Sequence, residues 1–448
     1  MIPAKLTKLT VTIAAVLLVT ACSSLKFGNS EKEAAEAEDK AGRIDMVLGD
    51  EAIVADPDLI GIEVALPAPE MNDSWPEAGL RSSKAVGHVV AGEAFEIAWR
   101  TDAGEGTSLR SALTSPPIAS ETAVYVLDTN QTIRAFDINN GQVLWTHKID
   151  SGVRRDQTTI GGGFALSGDT LIVASGYGLV LSFDANTGSE NWRRRMDAPM
   201  TGAPTLKNDR IYVSSNNNEL FALNMADGAV LWSDQAIAET ARVLGSPSPA
   251  AVEDLVVAPY SSGEVIAYLS TNGRRLWAEA LTRSGRFTPI SAINDIASRP
   301  VLSAGMVFAA SQSGVLTAID GRSGARIWEQ PIGSVQAPAL AGDYLFVTSV
   351  DGQIVCLGGG NGKVFWAKQL QQYENEEKRQ DRVSYAGPLI ASNRVVLASS
   401  QGELIGLSPQ TGDVMQTLDL GQAVFLEPIA AGGKIFILTD EARLIAIR

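Results

Sequence analysis

The sequence predicts an all-β fold, an eight-bladed β-propeller of four-stranded blades. Two observations predict it: a motif that returns about every 40–50 residues, and a proline-led, β-rich segment before each copy. Such a period is long enough for four short strands and their turns. In a ring built from repeats, function is expected in the loops that break the period.

The repeated motif is Ala-x-Asp-x-x-x-Gly-x-x-x-Trp, and its clearest copy is Ala135–Trp145. The aspartate can accept backbone hydrogen bonds in a tight turn, and the glycine supplies a positive φ. The tryptophan gives the outer strand a large surface to bury against a neighbouring blade. Gln416 takes the place of tryptophan in one copy. We expect structural roles for the repeat tryptophans, which are Trp99, Trp145, Trp192, Trp232, Trp277, Trp328 and Trp366.

The last repeat explains how the ring closes. Residues 428–448 contain the middle strands of a blade but no glycine–tryptophan strand. A suitable strand occurs upstream, at Phe95–Trp99. We expect this N-terminal strand to complete the C-terminal blade, because a closed ring leaves no blade incomplete at its edge.

The first residues have the composition of an export signal. Lys5 and Lys8 precede an apolar run from Leu9 to Val19, and small residues lead to Cys22. The sequence Val19-Thr-Ala-Cys22 resembles the bacterial lipobox, whose cysteine is acylated. We therefore expect residues 1–21 to be a lipoprotein signal peptide and Cys22 to be lipidated. The alternative is an ordinary signal peptide with an incidental cysteine.

Residues 22–92 differ in composition from the repeats. A charged run at 30–40 has no apolar face, and later prolines favour extended structure. We interpret 22–92 as an acylated N-terminus and extended tether that touches the side of the propeller through Trp75. The propeller itself is expected at 93–448.

Charge and motif content exclude several classes of function. The net charge is −15, with 36 basic and 51 acidic residues, which argues against nucleic acid and against direct adhesion to anionic lipid. There are two histidines and two cysteines, and no metal-ligand spacing or nucleophile motif occurs. Cys356 is expected to be a buried, inert thiol. We predict no catalytic residues, no metal and no cofactor, and consider proteins the best class of partner.

The motif resembles the pyrroloquinoline-quinone-type propeller repeat, which quinoprotein dehydrogenases share with BamB-type lipoproteins. The dehydrogenases resemble one another in a disulfide between two adjacent cysteines. The two cysteines of this chain, Cys22 and Cys356, are not adjacent in the sequence. The BamB-type resemblance implies a non-enzymatic scaffold of the outer-membrane β-barrel assembly machine. It also implies a lipid anchor at the periplasmic face of the outer membrane. In the bacteria of this family an aspartate after the cysteine tends to retain a lipoprotein at the inner membrane, and here Ser23 follows it instead. Its implied partners are the POTRA domains of BamA, other components of the machine, and unfolded outer-membrane proteins.

Two consecutive long connections break the repeat, at 233–246 and 283–299. Both join the outer strand of one blade to the inner strand of the next, so we expect them to emerge as neighbours on one face and to offer an apolar patch flanked by charges. The resemblance implies that they contact BamA. The partner-binding residues it implies are Ala241, Arg242, Val243, Leu244 and Asp295. Their register departs from the family pattern, and Val243 and Leu244 could instead fill the central channel.

Two further functions stay open on sequence alone. One is a quinone-dependent dehydrogenase, which shares the propeller repeat. The other is a lipoprotein scaffold for a different envelope complex, such as an exopolysaccharide machine. A bound quinone chromophore would favour the first, and a different co-purifying partner would favour the second.

Overall fold

Eight four-stranded antiparallel sheets form the blades of a β-propeller in the computed structural model, which describes residues 53–153, 160–237, 247–282 and 295–448. The eight-bladed, all-β fold predicted from the sequence is confirmed. In each of blades 1 to 7 the first strand in the chain lines the central channel and the fourth lies at the rim.

Consecutive chain segments supply the strands of blades 1 to 7, in order from the channel outward. Blade 1 contains β2 (Ile118–Ala119), β3 (Ala123–Leu127), β4 (Thr132–Asp137) and β5 (Val143–Lys148). Blade 2 contains β6 (Gly162–Ser167), β7 (Thr170–Ser175), β8 (Leu179–Asp184) and β9 (Glu190–Arg195). Blade 3 contains β10 (Thr205–Lys207), β11 (Arg210–Ser214), β12 (Glu219–Asn224) and β13 (Val230–Gln235). Blade 4 contains β14 (Ala250–Val252), β15 (Leu255–Pro259), β16 (Glu264–Leu269) and β17 (Arg275–Ala280).

The second half of the ring repeats this order. Blade 5 contains β18 (Val301–Ser303), β19 (Met306–Ser311), β20 (Val315–Asp320) and β21 (Arg326–Gln330). Blade 6 contains β22 (Ala339–Ala341), β23 (Tyr344–Thr348), β24 (Gln353–Gly358) and β25 (Val364–Gln369), and a hairpin of β26 (Tyr373–Asn375) and β27 (Gln380–Arg382) follows it. Blade 7 contains β28 (Tyr385–Ala391), β29 (Arg394–Ser399), β30 (Glu403–Leu407) and β31 (Val414–Asp419).

Blade 8 joins the two ends of the ring. It contains β32 (Ile429–Ala431), β33 (Lys434–Leu438), β34 (Arg443–Ile447) and, on the outside, β1 (Ile97–Asp102). β1 runs antiparallel to β34, with Trp99 opposite Ala446. The expected closure of the C-terminal blade by an N-terminal strand is therefore confirmed.

Each repeat tryptophan lies over the turn glycine of the next blade. A Cβ atom on Gly324 would lie 2.6 Å from Cγ of Trp277, and the Trp277 indole Nε1 donates a hydrogen bond to the carbonyl of Gly321 at 2.9 Å. The motif thus joins neighbouring blades as well as closing its own turn. The same glycine–tryptophan contact occurs at Gly141 and Trp99, Gly188 and Trp145, Gly228 and Trp192, Gly273 and Trp232, Gly362 and Trp328, and Gly412 and Trp366.

The other two motif positions act within a blade. The small residue faces the tryptophan of its own blade across the outer strand pair, as Ala318 faces Trp328. The aspartate closes the turn: Oδ1 of Asp320 accepts hydrogen bonds from the hydroxyl and the backbone amide of Ser323, both at 2.7 Å. These two bonds hold the pKa of Asp320 below its usual range.

Blade 7 shows why one copy of the motif lacks tryptophan. It faces blade 8, whose outer strand β1 comes from the N-terminal part of the chain, so no Asp-x-x-x-Gly turn joins the third and fourth strands of blade 8. Arg394 fills the space instead. Its guanidinium donates to the Gln416 side chain and to the carbonyl of Gly92, and lies 5.0 Å from the centre of the Phe95 ring. Gln416 therefore occurs where a tryptophan would have no glycine to cover.

The ring has two different faces. The connection face carries the links from each outer strand to the next inner strand, together with the turns between second and third strands. The turn face carries the turns between first and second and between third and fourth strands. Residues 53–92, which we name the strap, lie on the turn face and belong to the same compact unit as the blades. Within the described residues no helix has the length and apolar character of a membrane span.

The strap differs from the extended tether that the sequence predicts. It begins with a short 3-10 helix, Pro57–Leu59, beside blade 6, where the Asp56 amide donates to the Val364 carbonyl at 2.8 Å. Trp75 is buried, but against the inner strand β2 rather than the side of the ring: its amide and carbonyl pair with those of Ala119. Residue 93 therefore does not separate a free tether from the propeller, because the strap pairs with the inner strands before the chain reaches β1.

Candidate partner-binding surface

The two long connections start and end on neighbouring parts of the connection face. The first leaves blade 3 where the Ala236 amide donates to the Asn218 carbonyl at 2.9 Å. The second leaves blade 4 where the Leu281 amide donates to the Gly263 carbonyl at 2.7 Å. Asn218 and Gly263 lie in the second-to-third-strand turns of adjacent blades. The described ends of the connections are therefore neighbours, as blade order requires.

Asn218 ties the first connection to blade 4. Its side-chain amide donates to the carbonyl of Ile237 at 2.5 Å and to the hydroxyl of Ser261 at 2.8 Å. Ile237 itself is 67% exposed, although isoleucine is usually buried. A fixed backbone here presents an apolar side chain to solvent at the entrance to the connection.

A buried polar network that the sequence did not reveal supports the same edge of blade 4. The Tyr260 and Tyr268 hydroxyls lie 2.6 Å apart, Tyr268 donates to Oδ2 of Asp234 at 2.9 Å, and Nε of Arg275 donates to the same oxygen at 2.8 Å. Burial raises the pKa of both tyrosines, so they stay neutral donors. Asp234 lies at the end of β13, so the network fixes the point from which the first connection departs. Nothing in single-sequence patterning distinguishes these tyrosines from core residues.

The predicted site residues divide into two groups. Ala241, Arg242, Val243 and Leu244 lie outside the described residues. Asp295 is described, and its backbone carbonyl accepts a hydrogen bond from the Gln312 amide at 3.2 Å.

The position of Asp295 corrects one expectation. The sequence suggested a surface charge on a loop, but this residue is only 5% exposed. Its neighbours Ile296 and Arg299 are also covered, and Arg299 forms a two-pronged ion pair with Glu427, at 2.6 and 2.5 Å. The physical reason is that 295–299 is already the packed approach to β18, where the Ile296 amide donates to the Tyr260 carbonyl of blade 4 at 3.4 Å.

Other connections on this face also present apolar side chains. Leu109 is fully exposed, and Val153 and Phe425 are about half exposed. Each lies between the outer strand of one blade and the inner strand of the next, as Ile237 does. The sequence alone did not indicate this surface, because isolated apolar residues in separate loops form no local pattern. They come together only when the ring places the connections on one face.

Comparison with known proteins identifies the family. A family model described as outer membrane protein assembly factor BamB matches residues 82–155 and 129–368. The two matches together span more than half of the chain. The chain belongs to the BamB family.

Individual BamB proteins agree with this assignment. BamB of Moranella endobia (strain PCIT) is 24% identical over 335 residues, which cover 74% of this chain and 84% of the relative. BamB of Escherichia coli (strain K12) is 23% identical over 354 residues, covering 78% of this chain and 88% of the relative. The similarity therefore extends over most of the propeller.

Solved structures show the same fold. The crystal structure of BamB from Moraxella catarrhalis matches with a TM-score of 0.64 at 16% identity, covering 77% of this chain and 98% of that one. A quinohemoprotein alcohol dehydrogenase from Pseudomonas putida HK5 matches with a TM-score of 0.65 at 11% identity, covering 86% and 82%. At these identities the structural likeness concerns the fold alone.

Two reactive side chains of this BamB-family chain, Cys356 and His88, are held in structural contacts. Cys356 is buried opposite Trp366, and burial raises the pKa of its thiol. His88 lies in the strap, where Nδ1 donates to the Pro67 carbonyl at 2.7 Å and Nε2 accepts from the Asn393 amide at 2.9 Å. Across the described ranges, no three His, Cys, Asp or Glu side chains are grouped so as to hold a metal ion.

Proposed function

We propose that this chain is a non-catalytic scaffold of the outer-membrane β-barrel assembly machine. In this role it docks on the POTRA domains of BamA and assists the insertion of barrel proteins. The observation that carries the proposal is the match of residues 82–155 and 129–368 to the BamB family model. The relatives are named outer membrane protein assembly factors, and they cover most of the propeller.

The docking surface in this proposal is the connection face at blades 3 to 5. Ala241, Arg242, Val243 and Leu244 contribute from the first connection, and Asp295 contributes from the buried base of the second. Support comes from the neighbouring ends of the two connections and from the exposed Ile237 beside them. An apolar centre with charges at its rim suits a protein partner.

The proposed anchor is an acylated Cys22, which would hold the chain at the periplasmic face of the outer membrane. Cys22 lies outside the described residues, and the proposal rests on the lipobox resemblance and on the family. Replacing Cys22 with serine removes the acylated atom, so Cys22→Ser should move the protein from the membrane to the soluble fraction of the envelope. Retention of this variant in the outer-membrane fraction would contradict the anchor.

The assembly role is tested by purifying the full lipidated chain from its own envelope in mild detergent, followed by mass spectrometry. We expect a POTRA-bearing barrel protein in near-stoichiometric amount, with other machine components. Enrichment of a different envelope complex would overturn the function while leaving the fold unaffected.

The docking surface is tested by reversing the charge of Arg242. A charge reversal at an interface weakens association, so Arg242→Glu should weaken BamA binding by roughly tenfold or more. Arg322→Glu is a matched control, because Arg322 is exposed on the opposite face, in the turn after β20. Equal binding by both variants would contradict the site. Asp295→Arg is less informative, since a charge reversal at a buried position also destabilises the fold.

A further inference from the structure

The strap forms backbone hydrogen bonds with the inner strands of five blades and with the first turn of blade 8. Inner strands of a propeller leave one backbone edge facing the channel, and unpaired edges are sites for further strand pairing. In this chain the strap occupies that edge. Its backbone hydrogen bonds reach Ala119 in blade 1, Leu166 in blade 2, Ala251 in blade 4, Leu302 in blade 5, Ile390 in blade 7 and Gly433 in blade 8.

The centre of the strap, residues 77–84, lies in the mouth of the channel. Ala78 and Leu80 are buried there, and Lys84 is buried with its Nζ 2.9 Å from a carboxylate oxygen of Glu77. Leu80 and Lys84 have φ of +67° and +64°, a left-handed conformation that disfavours such side chains. A conformation of this cost persists only where surrounding contacts hold it.

A second ion pair meets this loop from the ring. Arg299 belongs to the approach to β18 in blade 5 and Glu427 to the approach to β32 in blade 8, yet their side chains pair across the channel. Nε of Arg299 lies 3.3 Å from the position that a Cβ atom would take on Gly79. Two cations and two anions therefore meet in one buried place, which offsets the cost of removing each charge from water.

We propose that the strap is a built-in plug that stays seated in the working protein and closes the channel on the turn face. The mouth is thereby a peptide-binding site whose occupant is residues 77–84 of the same chain. Partners and small ligands are confined to the connection face and the rim. The family model begins to match at residue 82, so most of the strap lies outside that match.

Hydrogen exchange of the full chain tests the plug without any substitution. Amides of the strap at 75–92 should exchange as slowly as those of the inner strands they pair with, on the order of a thousandfold slower than a free peptide. Mass spectrometry of peptic fragments measures exchange in the strap and in the inner strands separately. Exchange of 75–92 at the rate of a free peptide, with the blades protected, would overturn the proposal.

Substitution of the buried ion pair tests what seats the plug. Lys84→Met leaves Glu77 buried without its cation, so the thermal midpoint should fall by roughly 4–6 °C. Adding Glu77→Gln should recover part of that loss, because the unpaired charge is removed. Lys368→Met is the matched control, since Lys368 pairs with Asp413 on the exposed rim, and it should change the midpoint by less than about 1 °C. Equal effects of Lys84→Met and Lys368→Met would contradict the role of the pair.

Locking the strap tests whether it must open. Val89 and Ala391 are paired in register between the strap and β28, so cysteines at both positions can form a disulfide. If the strap stays seated, the oxidised Val89→Cys/Ala391→Cys protein co-purifies with the same proteins as the wild type, whatever their identity. Loss of those proteins on oxidation, and recovery on reduction, would show that the strap has to leave.

Discussion

At the scale of single residues, the turn glycines serve two separable purposes. The first purpose is to allow a positive φ: Gly324 has φ of +77° and Gly305, in the same blade, has +78°. The second purpose is to leave room for a neighbouring side chain, and of these two glycines only Gly324 serves it. A Cβ atom there would meet the Trp277 ring, whereas one on Gly305 would meet nothing within 4 Å. The spacing of glycine and tryptophan in the motif therefore records a contact between blades.

Comparing Gly324→Ala with Gly305→Ala separates the two purposes. Each substitution places a Cβ in the left-handed region, at a cost of about 1–2 kcal/mol. Gly324→Ala also displaces Trp277, so its free energy of unfolding should fall by a further 1–3 kcal/mol or so, the usual cost of overpacking. Denaturant titration of both variants measures the difference. Equal losses of unfolding free energy in the two variants would mean that Trp277 can move aside without destabilising the protein.

At the scale of a blade, the exception at Gln416 follows from how the ring closes. A tryptophan in the outer strand is useful only where the next blade supplies a turn glycine. Blade 8 supplies none, since β1 provides its outer strand, and Arg394 and Phe95 take the space. The departure from the repeat is therefore a local adaptation to closure.

Restoring the repeat at this position should destabilise the protein. Gln416→Trp removes one acceptor of the Arg394 guanidinium and crowds the place where Phe95 packs, so we expect the free energy of unfolding to fall by about 1–3 kcal/mol. Met415→Trp is the control, because Met415 is exposed on the same strand and a larger side chain can extend into solvent. A higher thermal midpoint for Gln416→Trp would show that the consensus residue is preferred after all.

At the scale of the whole molecule, the parts predicted well from sequence are those with a repeated signature. Trp99, forty-six residues before Trp145 in the chain, already marked β1 as the missing outer strand. The strap had no such signature. Glu77 and Lys84 resemble solvated charges in the sequence, and the meeting of Arg299 with Glu427 joins segments far apart in the chain. Asp295 looked exposed for the same reason, since its burial beside blades 4 and 5 depends on contacts that no local pattern records.

Truncation tests where the folded unit begins. The compact unit starts at Ile53, so a chain from residue 53 should unfold at the same temperature as one from residue 23. A chain from residue 93 loses the strap with its buried Trp75 and Val89, and should unfold at least roughly 5 °C lower. Calorimetry of the three chains measures these unfolding temperatures. Equal midpoints for the chains from 53 and 93 would mean that the strap adds no stability.

The seating of the strap also limits how far the ring can travel from a membrane. With an acyl group on Cys22, a free stretch up to residue 92 would allow a span of about 240 Å when fully extended. Because Asp56 is already bonded to blade 6, only residues 23–52 lie between Cys22 and the strap. Fully extended, they reach about 100 Å. If Cys22 is acylated as proposed, the strap thereby sets an upper limit on the distance from the bilayer at which the propeller can meet a partner.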